Sequence, residues 1–171
     1  MMFCLSIPKL KAQIIDVSTS KVTFKVMNRG NEVSGNLLNM NGEVNFDPKD
    51  IDNSTFKATV DPATINTKSS GRDKHLQKDD FFGTNTFPLI HMSSKKIIKT
   101  EKGFMAIAEL QIRDFKTEVK LPFKLSFNAD NQQVLQGAFT LNRLDYNLGE
   151  QIGEQSVGFE VDIAIYCVVT I

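Results

Sequence analysis

The densest group of side chains that could do chemistry lies in the stretch GRDKHLQKDDFFG, residues 71–83. It contains His75, one of only two histidines in the chain, with Asp73 and Asp80 close by. A histidine among carboxylates suits either a metal site or acid–base chemistry. A zinc site, however, usually takes three protein ligands at short spacing, and that spacing is missing. The pattern favours a charged loop that caps a short helix near residues 72–82, and we predict no catalytic or metal-ligating residue.

The two cysteines offer no redox or nucleophilic motif. Cys4 and Cys167 form no C-x-x-C pair. Cys167 lies on the apolar phase of the last predicted strand, which predicts a buried, unreactive thiol with no essential disulfide. The sequence also lacks the motifs of serine hydrolases, P-loop proteins and dinucleotide-binding folds. We therefore expect no enzymatic activity and no resident cofactor.

The composition is that of one globular domain with a sizeable core. The chain has 171 residues, of which 41% are hydrophobic and 23% are charged. Lysine plus arginine equals aspartate plus glutamate at 20 each, so the net charge is zero. A balanced charge argues against a nucleic acid or an anionic membrane as partner, because both require a basic excess.

Apolar and polar residues alternate along most of the chain after residue 20, which is the pattern of half-buried β-strands. Turn signals such as Asn41–Gly42, Asp61–Pro62 and Lys102–Gly103 separate the alternating runs. We count about eight strands, each with one apolar face, which is typical of an antiparallel sheet. Such a sheet must close into a barrel or fold into a sandwich to keep its apolar face dry. The prediction is an all-β, eight-stranded antiparallel barrel with one or two short helices.

The inward phase of these strands predicts a ligand cavity. The run GFMAIAELQI alternates large with small side chains on its apolar face, and small inward residues leave room inside a barrel. An eight-stranded barrel can hold one small or elongated ligand. The predicted lining residues are Phe24, Phe104, Ala106, Ala108, Phe123 and Phe159.

The first 13 residues resemble the back half of a secretory signal peptide that lacks its basic start. An apolar run from Met1 to Ile7 is followed by Pro8 and a short polar stretch. We therefore expect a periplasmic or secreted protein whose mature domain spans residues 14–171, or a cytoplasmic one if residues 1–13 are retained. No later run is long enough to cross a membrane as a helix.

Residues 64–97 resemble the signature of the YceI-like family of polyisoprenoid-binding proteins. That signature has an I-x-T stretch, then R-D-x-H-L, then D-F-F, then an aromatic–proline pair that leads into a strand. The matching positions, in order and spacing, are Ile65, Thr67, Arg72, Asp73, His75, Leu76, Asp80, Phe81, Phe82, Phe87 and Pro88.

Two later stretches extend the resemblance over residues 15–168. LQIRDFKTEVKLPF is similar to the family's L-T-I-R-G-x-T-x-x-V-x-L segment, and LNRLDYNLG is similar to its N-R-x-D-F-G-x-G. Asp114 and Asn147 stand where the family often has glycine, so we expect the turns at these two positions to differ in geometry.

The resemblance implies a lipocalin-like barrel that binds a long-chain isoprenoid or another amphiphilic lipid without catalysis. A polyisoprenoid, a quinone-like molecule or a fatty-acyl lipid would lie in the apolar interior, with its polar head near the mouth. The resemblance places Arg72, His75, Phe81 and Phe82 at that mouth. Arg72 and His75 would pair with nearby aspartates or meet a ligand head, and the two phenylalanines would turn inward.

Two other functions remain open on the sequence alone. The first is an enzyme that acts on a lipid inside the barrel, for which His75, His91 and nearby carboxylates are the only candidate bases. The second is a packed barrel without a cavity that serves protein interaction, and a homodimer is also left open. A measured interior volume separates the carrier from the packed barrel.

Overall fold

Alternation of apolar and polar residues produces long antiparallel strands in the computed structural model, which describes residues 13–170. The strands are β1 (Gln13–Ile15), β2 (Lys21–Asn28), β3 (Asn31–Asn45), β4 (Thr55–Asn66), β5 (Ile90–Thr100), β6 (Gly103–Ile112), β7 (Phe115–Phe127), β8 (Gln133–Asn142) and β9 (Val157–Thr170).

Hydrogen-bonded pairing closes the eight long strands into a barrel. The order is β3-β2-β9-β8-β7-β6-β5-β4, and β4 pairs back onto β3. The short β1 pairs with both β3 and β9 at one end of the barrel. The predicted eight-stranded antiparallel barrel is therefore confirmed, with one short strand added to it.

Helical structure within residues 13–170 is limited to one α-helix, α1 (Ser70–Leu76), and two short 3-10 helices at Ile51–Asn53 and Arg143–Tyr146. The predicted helix near residues 72–82 is present, although it begins at residue 70 and ends at 76. It ends early because a tight turn follows, in which the Phe81 N–H bonds the Lys78 carbonyl. No helix in the described part of the chain is long and apolar enough to cross a membrane.

The strand directions define two different barrel ends. At the mouth end lie the β2–β3 turn, the segment between β4 and β5 that contains α1, and the segment between β8 and β9. At the closed end lie β1, the segment between β3 and β4, and the β7–β8 turn. The predicted signal segment, residues 1–13, lies outside the described residues except for Gln13, which opens β1 opposite Val44. Cys4 is also outside them.

Candidate ligand cavity

The barrel interior contains an apolar cavity of about 300 Å³. Side chains from all eight long strands contribute to its wall, and nearly all of them are aliphatic or phenylalanine. Five lining side chains are polar, and every one of them lies at the mouth end: Asn28, Thr67, Arg72, His75 and Arg143. The cavity is thus an apolar chamber with a polar rim at one end, which matches an amphiphile with a long apolar part.

Phe46 closes the far end of the chamber. Its side chain is only 1% exposed, and its ring centroid lies 4.9 Å from that of Phe104 and 5.3 Å from that of Phe123. The loop that follows Phe46 is fixed by the hydroxyl of Ser54, which accepts the Asp47 N–H at 3.0 Å. This aromatic cluster makes the barrel a blind chamber and not a tube.

Two of the six predicted lining phenylalanines and alanines lie on the cavity wall, namely Phe24 and Phe123. Phe104 lies outside the wall because its ring stacks behind Phe123, with the centroids 5.4 Å apart. Phe159 lies outside it because its ring packs against the guanidinium of Arg143, 5.3 Å away.

The two alanines of β6 do not open the cavity. Ala106 and Ala108 are 0% exposed, and a side chain with no accessible surface touches neither solvent nor a void. Both have the inward phase that was predicted, but they belong to the packed wall and the cavity lining does not include them. The space comes from other strands, including β8, where Leu135, Phe139 and Leu141 alternate inward. That alternation is visible in the sequence, in the run VLQGAFTL.

The four predicted mouth residues, Arg72, His75, Phe81 and Phe82, all lie on the cavity wall. Nε2 of His75 lies 2.8 Å from an Asp80 carboxylate oxygen, and both side chains are about half exposed. The His75 ring also stands edge-on to the Phe81 ring, with the centroids 5.2 Å apart. The His75–Asp80 hydrogen bond therefore lies on the rim, directly above the apolar chamber.

Arg72 does not form the expected ion pair with an aspartate. It donates from Nε to the Thr67 hydroxyl at 2.8 Å and from Nη2 to the Thr67 carbonyl at 2.9 Å. The Asp73 carboxylate accepts the Thr67 N–H at 2.9 Å and the Thr67 hydroxyl. Thr67 is buried, so Arg72 and Asp73 together satisfy its polar groups and fix the start of the mouth segment, residues 67–89.

Arg143 organises the other side of the mouth, a role that no pattern in the sequence predicted. Its guanidinium, 2% exposed, donates to five backbone carbonyls between 2.5 and 3.0 Å away. The accepting residues are Leu148, Gly149, Ile152, Val157 and Gly158. One buried side chain therefore fixes the whole β8–β9 connection. Burial lowers the pKa of Arg143 below its ordinary value, because desolvation disfavours its charge.

The two halves of the mouth meet at Gly149. Its N–H donates to the Asp80 carbonyl at 2.7 Å. Its φ of +62° is in the left-handed region, and a Cβ at this position would lie 2.7 Å from the Phe81 ring. Glycine is required here for two reasons: the backbone has a positive φ, and any side chain would displace the Phe81 ring.

Neither histidine forms a nucleophile–base pair within residues 13–170. His75 hydrogen-bonds to Asp80 and to no hydroxyl or thiol. His91 lies on β5, exposed and on the outer face. Within residues 13–170, no group of three or more histidine, cysteine or acidic side chains could hold a metal ion.

Cys167 should be unreactive in the folded protein. It is buried on β9, and desolvation raises the pKa of its thiol to about 12. Since the thiolate is the nucleophile, we expect alkylation at pH 8 to be at least ~100-fold slower than in denaturant. Peptide mass mapping after timed labelling measures this at Cys167 itself. Equal labelling rates with and without denaturant would contradict the assignment.

A closed eight-stranded antiparallel barrel with a blind apolar interior and a polar rim defines the class of lipocalin-like barrels. Within that class, a family model described as a YceI-like domain matches residues 14–169. The chain therefore belongs to the YceI-like family.

Similar proteins come from several bacteria. A UPF0312 protein of Staphylococcus aureus (strain N315) is 28% identical over 125 residues, which cover 68% of this chain and 70% of that protein. BcnA of Burkholderia cenocepacia has the same fold with a TM-score of 0.85 at 22% identity, covering 91% of this chain and 99% of BcnA. A polyisoprenoid-binding domain from Saccharophagus degradans, implicated in plant cell wall breakdown, gives a TM-score of 0.74 at 12% identity, covering 94% and 98%. At these identities the structural likeness shows a common fold.

Proposed function

We propose that this protein binds a lipid with a long apolar chain, such as an isoprenoid, inside the barrel and carries or stores it without catalysis. The observation that carries the proposal is the cavity, which is apolar along its length and polar only at one rim. Membership of the YceI-like family supports it, as does the similarity in fold to a polyisoprenoid-binding domain.

The energetics of burial suit a carrier of this kind. Removing apolar ligand surface from water contributes roughly 25 cal/mol per Å² before the entropy costs of binding. A chain of many carbons therefore binds without a polar contact along its length. The apolar chain of a quinone-like or fatty-acyl lipid would suit the same chamber. Selectivity between head groups would then come from the polar groups outside the apolar interior.

The other two functions have less support. A packed barrel used only for protein interaction would have no reason to keep a blind apolar cavity open. A lipid-acting enzyme would need a nucleophile or water beside the second ring nitrogen of His75, and within residues 13–170 His75 hydrogen-bonds only to Asp80, through Nε2. A periplasmic or secreted location would suit a carrier that moves lipid between membranes, and it stays part of the proposal.

A chain-length series tests the proposal. We expect straight-chain alcohols to displace a fluorescent fatty-acid probe with affinity that rises up to about four-fold per added methylene, because each buried methylene contributes ~0.8 kcal/mol. The increase should stop when the chain fills the chamber. Absence of displacement at every length, or affinity independent of length, would contradict the proposal.

A further inference from the structure

The barrel wall has a seam between β7 and β8. These strands pair only from Phe123–Gly137 to Phe127–Gln133, in the half near the closed end. Towards the mouth, residues 115–122 of β7 form no backbone pairing with residues 138–142 of β8. On their other sides both strands remain paired, β7 with β6 and β8 with β9. No β7–β8 backbone ladder closes the wall along this seam. Within it, the buried Tyr146 of the Arg143–Tyr146 3-10 helix hydrogen-bonds through its hydroxyl to the hydroxyl of Thr117 on β7.

Pro122 accounts for the place where the seam begins. Proline has no N–H to donate to a ladder, so within sheets it is confined to edges and bulges. The last β7 residue that pairs with β8 is Phe123, immediately beside Pro122. The pairing with β6 continues past Pro122 to Phe115, so β7 itself is unbroken and it is β8 that separates.

A groove on the outer face of the barrel lies over the beginning of the seam. Pro122, Gly137 and Ala138 are part of its lining. Phe123, Gly137 and Ile165 line both this groove and the interior cavity. A single layer of residues therefore separates groove and chamber, and in it the Leu121 side chain packs against Gly137.

The groove is cationic. Lys21, Lys102 and Lys124 line it, together with Tyr166 and Gln136, and no carboxylate does. None of these three lysines takes part in an ion pair of the described residues, where the pairs are Lys25–Glu32, His75–Asp80, Lys95–Glu118 and Lys116–Glu109. Three lysines around an apolar floor favour a ligand with a negative group at one end.

We propose that this outer groove binds the anionic head group of an amphiphile whose chain enters the chamber through the adjoining seam. The inference rests on the proposed function and names its ligand class, a long-chain carboxylate or alkyl phosphate. The two arginines that line the cavity at the mouth already have partners: Arg72 bonds Thr67 and Arg143 bonds five backbone carbonyls. Lys74 and Lys78 of the mouth segment do not line the cavity. The groove lysines lie beside residues that line both the groove and the cavity, which favours them as the site for an anionic head group.

The head-group site is tested with two matched ligands, a saturated fatty acid and the alcohol of equal chain length. We expect Lys102→Gln/Lys124→Gln to weaken binding of the acid about ten-fold and leave the alcohol unchanged. The matched control, Lys74→Gln/Lys78→Gln in the mouth segment, should change neither. If the control variant loses the acid instead, the head lies at the mouth and the inference is overturned.

The same measurements separate this inference from the proposed function. If the alcohol binds and the groove variant keeps full affinity for the acid, only the head-group site fails. If the unchanged protein binds neither ligand, both the proposed function and the head-group site are contradicted. An alkyl phosphate of the same chain length, run in parallel, distinguishes the two anionic head groups.

The chain route is tested by filling the groove. Ala138 is an exposed groove residue outside the cavity lining, so Ala138→Phe should leave the core intact, which thermal unfolding verifies. We expect this variant to slow stopped-flow uptake of a fluorescent fatty acid at least ~10-fold, with no more than a small change for Ser126→Phe, an exposed position on β7 outside the groove. Equal uptake rates in the two variants would show that the chain enters elsewhere and would overturn the route.

Discussion

Replacing Arg143 with methionine should lower the free energy of unfolding by about 3–5 kcal/mol. The guanidinium is buried and donates to five backbone carbonyls, three in the β8–β9 connection and two at the start of β9. Methionine fills much of the same volume but leaves those carbonyls without donors, and each buried orphan costs about 1–3 kcal/mol before the loop relaxes. No carboxylate is among the hydrogen-bond partners of Arg143, so the backbone carbonyls and the face of the Phe159 ring compensate its charge.

Denaturant unfolding measures this effect, and two further variants define its cause. Arg143→Lys keeps the charge but not the planar fork of donors, so it should recover only a small part of the loss. Arg113→Met is the matched control, because Arg113 is half-buried and donates once, to the Asn147 carbonyl at 3.1 Å. We expect the control to cost about 1 kcal/mol. A loss below that value for Arg143→Met would show that the loop does not depend on this side chain.

The same alanine-to-phenylalanine change should have different effects at two positions. At Ala58 it should weaken lipid binding, and at Ala108 it should destabilise the fold. Ala58 on β4 lines the cavity, so Ala58→Phe would project a ring into empty space. We expect that variant to fold and to lose at least ~10-fold in affinity for long-chain ligands, since the ring occupies volume the chain needs. Ala108 pairs with Ser94 and Val119 in a wall without free space, so Ala108→Phe should instead cost about 1–3 kcal/mol of stability.

The pair of variants is informative because the chemical change is identical. Probe displacement measures binding and thermal unfolding measures stability for both proteins. If Ala58→Phe unfolds the barrel while Ala108→Phe is tolerated, the free space lies beside Ala108 on β6 and not beside Ala58 on β4. If Ala58→Phe folds and binds as tightly as the parent, the ligand does not reach β4.

Alternation alone predicted the barrel because a period of two is a local property of the chain. The inward phase predicted for Phe24 and Phe123 agrees with the structure, in which both line the cavity. The motif residues of the mouth segment could be placed from their resemblance to a known signature. Alternation does not show which inward side chains border the cavity and which are packed against other side chains.

The misplaced residues show this limit. Phe159 and Phe104 have the inward phase, yet Arg143 covers one and the Phe46 cluster covers the other. Arg143 comes from the connection after β8, outside the alternating runs, so strand phase does not indicate it. Phe46 continues the alternation of Val44 one residue past the end of β3, but phase alone does not show which rings it contacts. The carbonyls that Arg143 bonds belong to three residues of the β8–β9 connection and the first two residues of β9. A set of backbone acceptors leaves no signature in side-chain identity.

The most direct test of the central claim is mass spectrometry of organic extracts from the purified protein, before and after incubation with a mixed lipid extract. We predict a long-chain lipid that copurifies or is taken up at no more than one molecule per barrel, and that is lost in Ala58→Phe but retained in Ser126→Phe. Extracts that contain no such lipid above background, in either preparation of the unchanged protein, would contradict the claim that the apolar chamber is a lipid-binding site.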